Sequence, residues 1–406
     1  MSEPFDLVLY GATGFTGGQA ARYVAAHAPA DLRWAIAGRS RDKLDALASE
    51  IDPTGVVVAD SGRPTTVDAL ARGARVVLTT AGPFAKYGTP VVEACARHGR
   101  DYVDITGETP WVREMIDRFH RQATEAHARI VPFCGFDSIP SDLGTLLAVE
   151  ALRERGTATR QVRAAFKIKG GLNGGTLDSA LTMAERGEQS KIANVLLLNP
   201  RDHQSDDERK RSPDFKGVAH DGDLDAWLTP FFMAAINTRV VRRSNALCDR
   251  WGQGYGPEFS YNEAIETSRR TSAYATAAIS AAFTSLTNRS WARTLMRRYG
   301  PAPGQGPSEK SMDSGVCRVR LVGEGEDGSK VLVTLRAPGD PGNRVTVPLV
   351  CESALMLATT DRAALPGGAD RGGLLTPATA LGTGLFDRLR QADFETRVEP
   401  MPAAGG

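Results

Sequence analysis

Short apolar runs and amphipathic segments alternate over the first 135 or so residues. The runs at 5–10 (FDLVLY), 32–37 (LRWAIA), 55–59 (GVVVA), 75–80 (RVVLTT), 101–104 (DYVD) and 130–133 predict six strands. Segments 18–27, 41–50, 65–71, 90–98 and 114–128 predict the helices between them. Strands that are apolar on both faces and separated by helices predict a Rossmann-type α/β fold, a doubly wound parallel sheet with right-handed crossovers.

The pattern changes after residue 142. A helix is expected over 143–155, a strand over 162–168, a loop over 170–175 and a helix over 176–186. Residues 199–222, polar and charged, predict a loop or mobile insertion. Alternating runs at 317–323 and 330–336 around GEGEDGS predict a hairpin. Residues 352–358 again predict a helix, and a further helix should follow LLTP and run to about 390. The expected organisation is a nucleotide-binding domain over 1–142 and a mixed α/β substrate or oligomerisation domain over 143–350. A C-terminal segment, 351–406, should pack back on the first domain. Residues 271–288 carry no charge and are rich in Ala, Ser and Thr. Their leading reading is a buried or pocket-lining helix, with peripheral membrane contact as the alternative; their hydrophobicity falls short of a membrane span.

Composition narrows the function. A chain of 406 residues predicts about two to three domains. Lys and Arg total 49 against 48 Asp and Glu, a net charge of +1, which removes the main electrostatic argument for nucleic acid as a partner. The five Cys form no C-x-x-C pair, and the six His include no H-E-x-x-H, so thiolate and zincin metal sites are not expected. The acidic start runs directly into a strand, so no signal peptide is expected. A reduced, cytoplasmic setting follows, with peripheral plasma-membrane contact through 271–288 as the alternative.

The strongest chemical signal is GATGFTGG, directly after the first strand. Gly11 permits a tight turn, Gly14 lets a pyrophosphate approach the backbone, and Gly17 allows close packing of helix on sheet. Thr13, Phe15 and Thr16 fill the loop, and the helix start offers free N–H groups to phosphate. The second strand runs into Gly38-Arg39-Ser40, with Lys43 beyond. Arg39 stands 22 positions after Gly17, where an acidic residue would bind the ribose 2′-hydroxyl of NAD. A guanidinium there suits a 2′-phosphate, so NADP(H) is the expected cofactor. Asp60 ends the third strand, either bordering the adenine or capping a helix. The fourth strand leads to Ala81-Gly82-Pro83, on the expected nicotinamide side. Lys86 and Tyr87 follow it and are the first-ranked catalytic candidates by position, ahead of Glu108 and Asp137.

Rival motifs are missing. None of the eight Tyr has a Lys four positions later, no Gly-Lys pair forms a P-loop, and there is no G-x-S-x-G elbow. YGATGFTG, AGRS-x-x-KL, AGPF-x-x-YG, DYVDITGE and GFDSIPSDLG together resemble the saccharopine dehydrogenase-like oxidoreductases, most of all the actinobacterial trans-acting enoyl reductases. The resemblance covers the first 150 residues well. It extends more loosely through GGTLDSA (174–180) and LLTPATALG (374–382). It implies a nucleotide domain interrupted by a mixed domain, and reduction of a carbon–carbon double bond on a polyketide-type acyl chain.

Three functions therefore compete. The first is NADPH-dependent enoyl reduction of a lipid-like acyl thioester, free or bound to a carrier protein, by a chain that could pair as a homodimer. The second is a saccharopine-type amino-acid dehydrogenase acting at a C–N bond. Its polycarboxylate substrates call for clustered cations, for which Arg239, Arg242 and Arg243 are available. The third is a non-catalytic NADP-binding or lipid-associated protein.

Overall fold

A computed structural model describes residues 5–170, 174–302 and 305–402. Part of the expected 170–175 loop, residues 171–173, lies outside them. The first six strands are β1 (Phe5–Tyr10), β2 (Trp34–Gly38), β3 (Gly55–Val58), β4 (Ala74–Thr79), β5 (Asp101–Asp104) and β6 (Arg129–Val131). The next six are β7 (Thr159–Lys169), β8 (Ala219–Asp221), β9 (Ala226–Pro230), β10 (Ser260–Thr267), β11 (Val316–Gly325) and β12 (Lys330–Pro338). Two short pieces close the chain, β13 (Gly373–Leu374) and β14 (Glu395–Met401).

Seven strands form the first sheet, in the order β13-β6-β5-β4-β1-β2-β3, and every pairing is parallel. Leu7, Leu9, Ile36, Val76, Leu78 and Val103 fill one face and Val8, Ala35, Val77 and Tyr102 the other. Burial on both faces explains why these runs do not alternate. The strand order reverses between β1 and β4, so the loops after these two strands diverge at the sheet's C-terminal edge and open a crevice there.

The second sheet is mixed, in the order β14-β12-β11-β7-β10-β9-β8, with β7 and β10 parallel and the other pairs antiparallel. The hairpin predicted around GEGEDGS is the β11–β12 pair. The helix Ile139–Glu154 packs on this sheet through Gly144, whose missing Cβ leaves room for Leu321 and Leu335.

The C-terminal segment departs from expectation, because it does not return as one piece. The helix Thr346–Thr359 is buried almost throughout and packs against the first sheet and the helix Phe15–His27. β13 extends that sheet, whereas β14 crosses to the edge of the second sheet and pairs with β12. The predicted helix to about 390 is broken into Pro377–Ala380 and Leu385–Leu389, with Gly382 between them at φ +67°. Two buried guanidiniums tie down the returning chain. Arg129 donates to the carbonyls of Pro366, Gly368 and Ala380, and Arg243 to those of Leu198 and Leu374. The polar stretch 199–222 is partly ordered too: it contains the Ser205-capped helix Asp206–Arg211 and β8.

Residues 271–288 do not form the buried helix expected of them. They coincide with the helix Arg270–Thr287, in which only Ala273 and Thr287 are buried. Among the described residues no helix is long and apolar enough to cross a membrane.

Candidate active site

The turn after β1 is built on contacts that exclude side chains. The Gly11 and Ala12 amides both donate to the Ala37 carbonyl, at 2.9 and 3.2 Å, which pins the loop to β2. Gly11 sits at φ +89°, and a Cβ there would lie 3.0 Å from the Ala81 amide nitrogen. A Cβ on Gly17 would lie 2.1 Å from the Gly11 carbonyl oxygen and 2.8 Å from Thr80 Oγ1. Gly14 differs, since it is exposed and a Cβ there would meet only the Gly11 oxygen, at 3.3 Å. Gly11 and Gly17 therefore close the turn, and Gly14 keeps its outer surface bare. No side chain caps the helix Phe15–His27. Its first-turn N–H groups are left to an anion. Thr13 is exposed beside Gly38 and Thr16 is half-buried. The Phe15 ring packs on Gly306, where a Cβ would have no room, so Phe15 meets a loop of the second half of the chain.

The cations around β2 divide by what they already bind. Ser40 caps the helix Arg41–Ile51 by accepting from the Lys43 amide. Arg41 is paired with Asp45 at 2.8 Å. Arg39 and Lys43 are exposed, and no ion pair of either is found among the described residues. Asp60 accepts from the Gly62 amide at 2.9 Å and forms a turn. It is not the cap of the next helix, Pro64–Arg72, which starts after Arg63.

The turn after β4 faces this loop. Ala81 donates to Thr79 Oγ1 at 3.2 Å, Gly82 is exposed and Pro83 is buried. A one-turn helix, Phe84–Tyr87, follows. Glu108 is buried at its start and accepts from the Phe84 and Ala85 amides, at 2.8 and 2.9 Å. Ser179, from the helix Gly174–Glu185, donates to the same carboxylate at 2.9 Å, and Arg186 donates to the Ala85 carbonyl. Burial raises the Glu108 carboxyl, and these hydrogen bonds oppose the rise. Glu108 thus acts as an anchor for the turn. Lys86 and Tyr87 lie on the exposed side of that helix, Tyr87 at 40% exposure.

Beyond β6 lies a buried polar cluster that sequence reasoning only touched. Asp137 follows β6, and its Oδ1 is enclosed without a partner among the described residues. Burial, with the nearby Glu263 charge, pushes its carboxyl up to about 7. Glu263, on β10, accepts from Ser141, Tyr261 and Asn237 at 2.7–2.8 Å, and burial pushes it to about 7 as well. Glu263 and Asn237 come from distant sequence with no motif to flag them. Ser179 falls inside the GGTLDSA stretch, but its partner could not be read from that.

Arg239, Arg242 and Arg243 are not available to a substrate. All three are buried. The first two hold Asp214, at 2.6 and 3.3 Å, and Arg243 binds two carbonyls. Burial lowers Arg243 to about 9. These side chains join the helix Ala234–Arg250 to its surroundings.

Residues 7–131 match the saccharopine dehydrogenase NADP binding domain family, which makes the first sheet an NADP-binding unit. A Mycobacterium tuberculosis protein provisionally named a trans-acting enoyl reductase is 38% identical over 420 aligned positions, covering 96% of both chains. The trans-acting enoyl reductase of Mycobacterium ulcerans is 37% identical over 410, covering 95% of this chain and 96% of its own. Apo saccharopine dehydrogenase (L-Glu forming) of Saccharomyces cerevisiae superposes with a TM-score of 0.56 at 12% identity, over 98% of this chain and 99% of that one, and so shares the fold.

Proposed function

The chain belongs to the trans-acting enoyl reductase family, and from that premise we propose that it reduces the carbon–carbon double bond of an α,β-unsaturated acyl thioester using NADPH. The observation that carries this reading is the meeting, at one sheet edge, of an uncapped helix start, the exposed Arg39 and Lys43, and the Glu108-anchored turn.

The residues fit the cofactor. The bare outer surface at Gly14 leaves room for a pyrophosphate, and Arg39 with Lys43 offers exposed cations to a 2′-phosphate. Ala81, Gly82 and Pro83 would border the nicotinamide half. Bound NADPH supplies a hydride equivalent for the β-carbon. The chain's own part is to hold the acyl group beside this turn, stabilise the enolate oxygen and return a proton to the α-carbon. Tyr87 and Lys86 are assigned that donor role. Glu108 and Ser179 position the helix that carries them.

The engagement of Arg239, Arg242 and Arg243 leaves no cluster of free cations there for a polycarboxylate, which favours an acyl substrate over a saccharopine-like one. Carrier-bound thioesters are the expected form of that substrate. The test is NADPH oxidation with trans-2-enoyl thioesters on coenzyme A and on a carrier protein. Oxidation with the enoyl substrates, and a higher kcat/KM on the carrier, supports the reading. Cofactor binding without oxidation by enoyl, carbonyl or imine substrates would favour a non-catalytic protein.

A further inference from the structure

The helices Arg270–Thr287 and Ser290–Tyr299 form a surface that water alone should not cover. The first has no charged residue from 271 to 288, although twelve of its eighteen residues are exposed. A solvated helix usually presents charges on its outer face. Here the outer positions hold Tyr274, Ile279 and Phe283, and the second helix adds Trp291, Leu295 and Tyr299. Ile279 is 70% exposed and Tyr299 74%. Apolar exposure concentrated on two consecutive helices marks an interaction site.

The charges within this stretch of sequence have one sign. Between Glu266 and Glu309 there is no Asp or Glu, but there are six Arg, at 269, 270, 289, 293, 297 and 298. Arg297 is neutralised by Glu185 and Asp178, and Arg270 lies over Trp227 and Tyr274. Arg269 and Arg289 bracket the uncharged stretch at its two ends, and neither has an ion pair among the described residues.

We infer that this helix pair docks on an anionic lipid surface, with its aromatic and aliphatic side chains in the headgroup region and its Arg residues against lipid phosphates. Aromatic side chains with flanking cations are the composition of interfacial helices. A second copy of the chain fits less well. A two-fold interface apposes a patch to itself, and this one would bring Arg toward Arg, the nearby acids Asp178 and Glu185 being already held by Arg297 and Arg293. An acidic protein domain also fits less well, because it would be met by cations spread through the face. Arg269 and Arg289 sit at the two ends of the uncharged stretch, where long side chains reach out of an apolar layer. The pair packs on the helix Gly174–Glu185, which carries Ser179, so the docked face lies one helix away from the Glu108-anchored turn.

The test is flotation of the full-length chain with vesicles of phosphatidylcholine alone and with phosphatidylglycerol added. Binding is expected only to the anionic vesicles and should weaken with salt. Arg269→Gln with Arg289→Gln should weaken it by roughly twentyfold or more, at about 1 kcal/mol per cation. The exposed triple Ile279→Glu, Phe283→Glu and Trp291→Glu should abolish it, with circular dichroism and NADPH affinity unchanged to show that the variant folds. Three outcomes would overturn the inference: no binding to anionic vesicles, binding that the triple variant retains, or a dimer in solution that the same triple variant dissociates.

Discussion

Ser179 donates a 2.9 Å hydrogen bond to Glu108, the carboxylate that caps the helix Phe84–Tyr87 from below. One side chain of the second half of the chain thereby holds the turn on which the proposed proton donors sit. Glu108→Ala would leave two amide donors without their acceptor, a loss of about 1–3 kcal/mol. The expected result is a lower melting temperature together with a lower kcat. Ser179→Ala should leave the melting temperature nearly intact and reduce kcat/KM. Wild-type kinetics in both variants would remove the positioning role.

Cofactor choice should rest on Arg39. Arg39→Ala should raise the Kd for NADPH roughly ten- to hundredfold, the range of a charge-assisted hydrogen bond, and leave that for NADH unchanged. Arg41→Ala should have little effect, since Asp45 holds that guanidinium on the surface. Titration of both cofactors against the two variants separates these cases.

The two glycines of the loop should fail differently. Gly17→Ala puts a methyl group into the Gly11 carbonyl, which is backbone and cannot yield, so the fold of the turn is lost and the melting temperature drops. Gly14→Ala places its methyl on the open side. The chain should melt as before and bind NADPH at least about tenfold more weakly. Equal melting temperatures for the two variants would contradict this division.

Tyr87→Phe should lower kcat roughly hundredfold or more, the usual share of a general acid, with NADPH affinity unchanged. Lys86→Ala should do less. If both leave turnover intact, Asp137 is the remaining candidate. Asp137→Asn would then remove turnover, and in the wild type activity would fall as pH rises through about 7, where its acid form is lost.

Stability should decline toward alkaline pH. Burial raises Asp104, Asp137 and Glu263 to about 7 and Asp142 to about 6. Each stays protonated in the folded chain where the unfolded carboxyl, near 4, is ionised. Their contribution is full below about 4 and lost as pH rises through about 6–7. His120, lowered to about 4 by burial, acts in the opposite direction, since its contribution is present above about 6.5 and lost as pH falls toward 4. Four carboxyls outweigh one imidazole, so the melting temperature should fall between about pH 5 and pH 8. Glu263→Gln should flatten that slope, and a melting temperature that climbs over this interval would contradict the balance.

The parallel sheet, the glycine turn and the identity of the cofactor were legible in the chain itself. Each depends on residues adjacent in sequence: apolar runs that must be buried on both faces, and glycines whose missing side chains shape a local turn. The hairpin of the second sheet was legible for the same reason. What the sequence left open depends on pairing across long separations. Asp137 and Glu263 share a buried cluster across more than a hundred residues, and β13 and β14 divide between two sheets by edge hydrogen bonds that carry no composition signal. Arg239, Arg242 and Arg243 looked free because a one-dimensional reading cannot see Asp214 or the carbonyls that bind them. The uncharged segment 271–288 was legible as unusual. Only tertiary packing decided that it faces outward, because it rests on β9, β10 and the helices Gly174–Glu185 and Ser290–Tyr299 along one side and buries just Ala273 and Thr287.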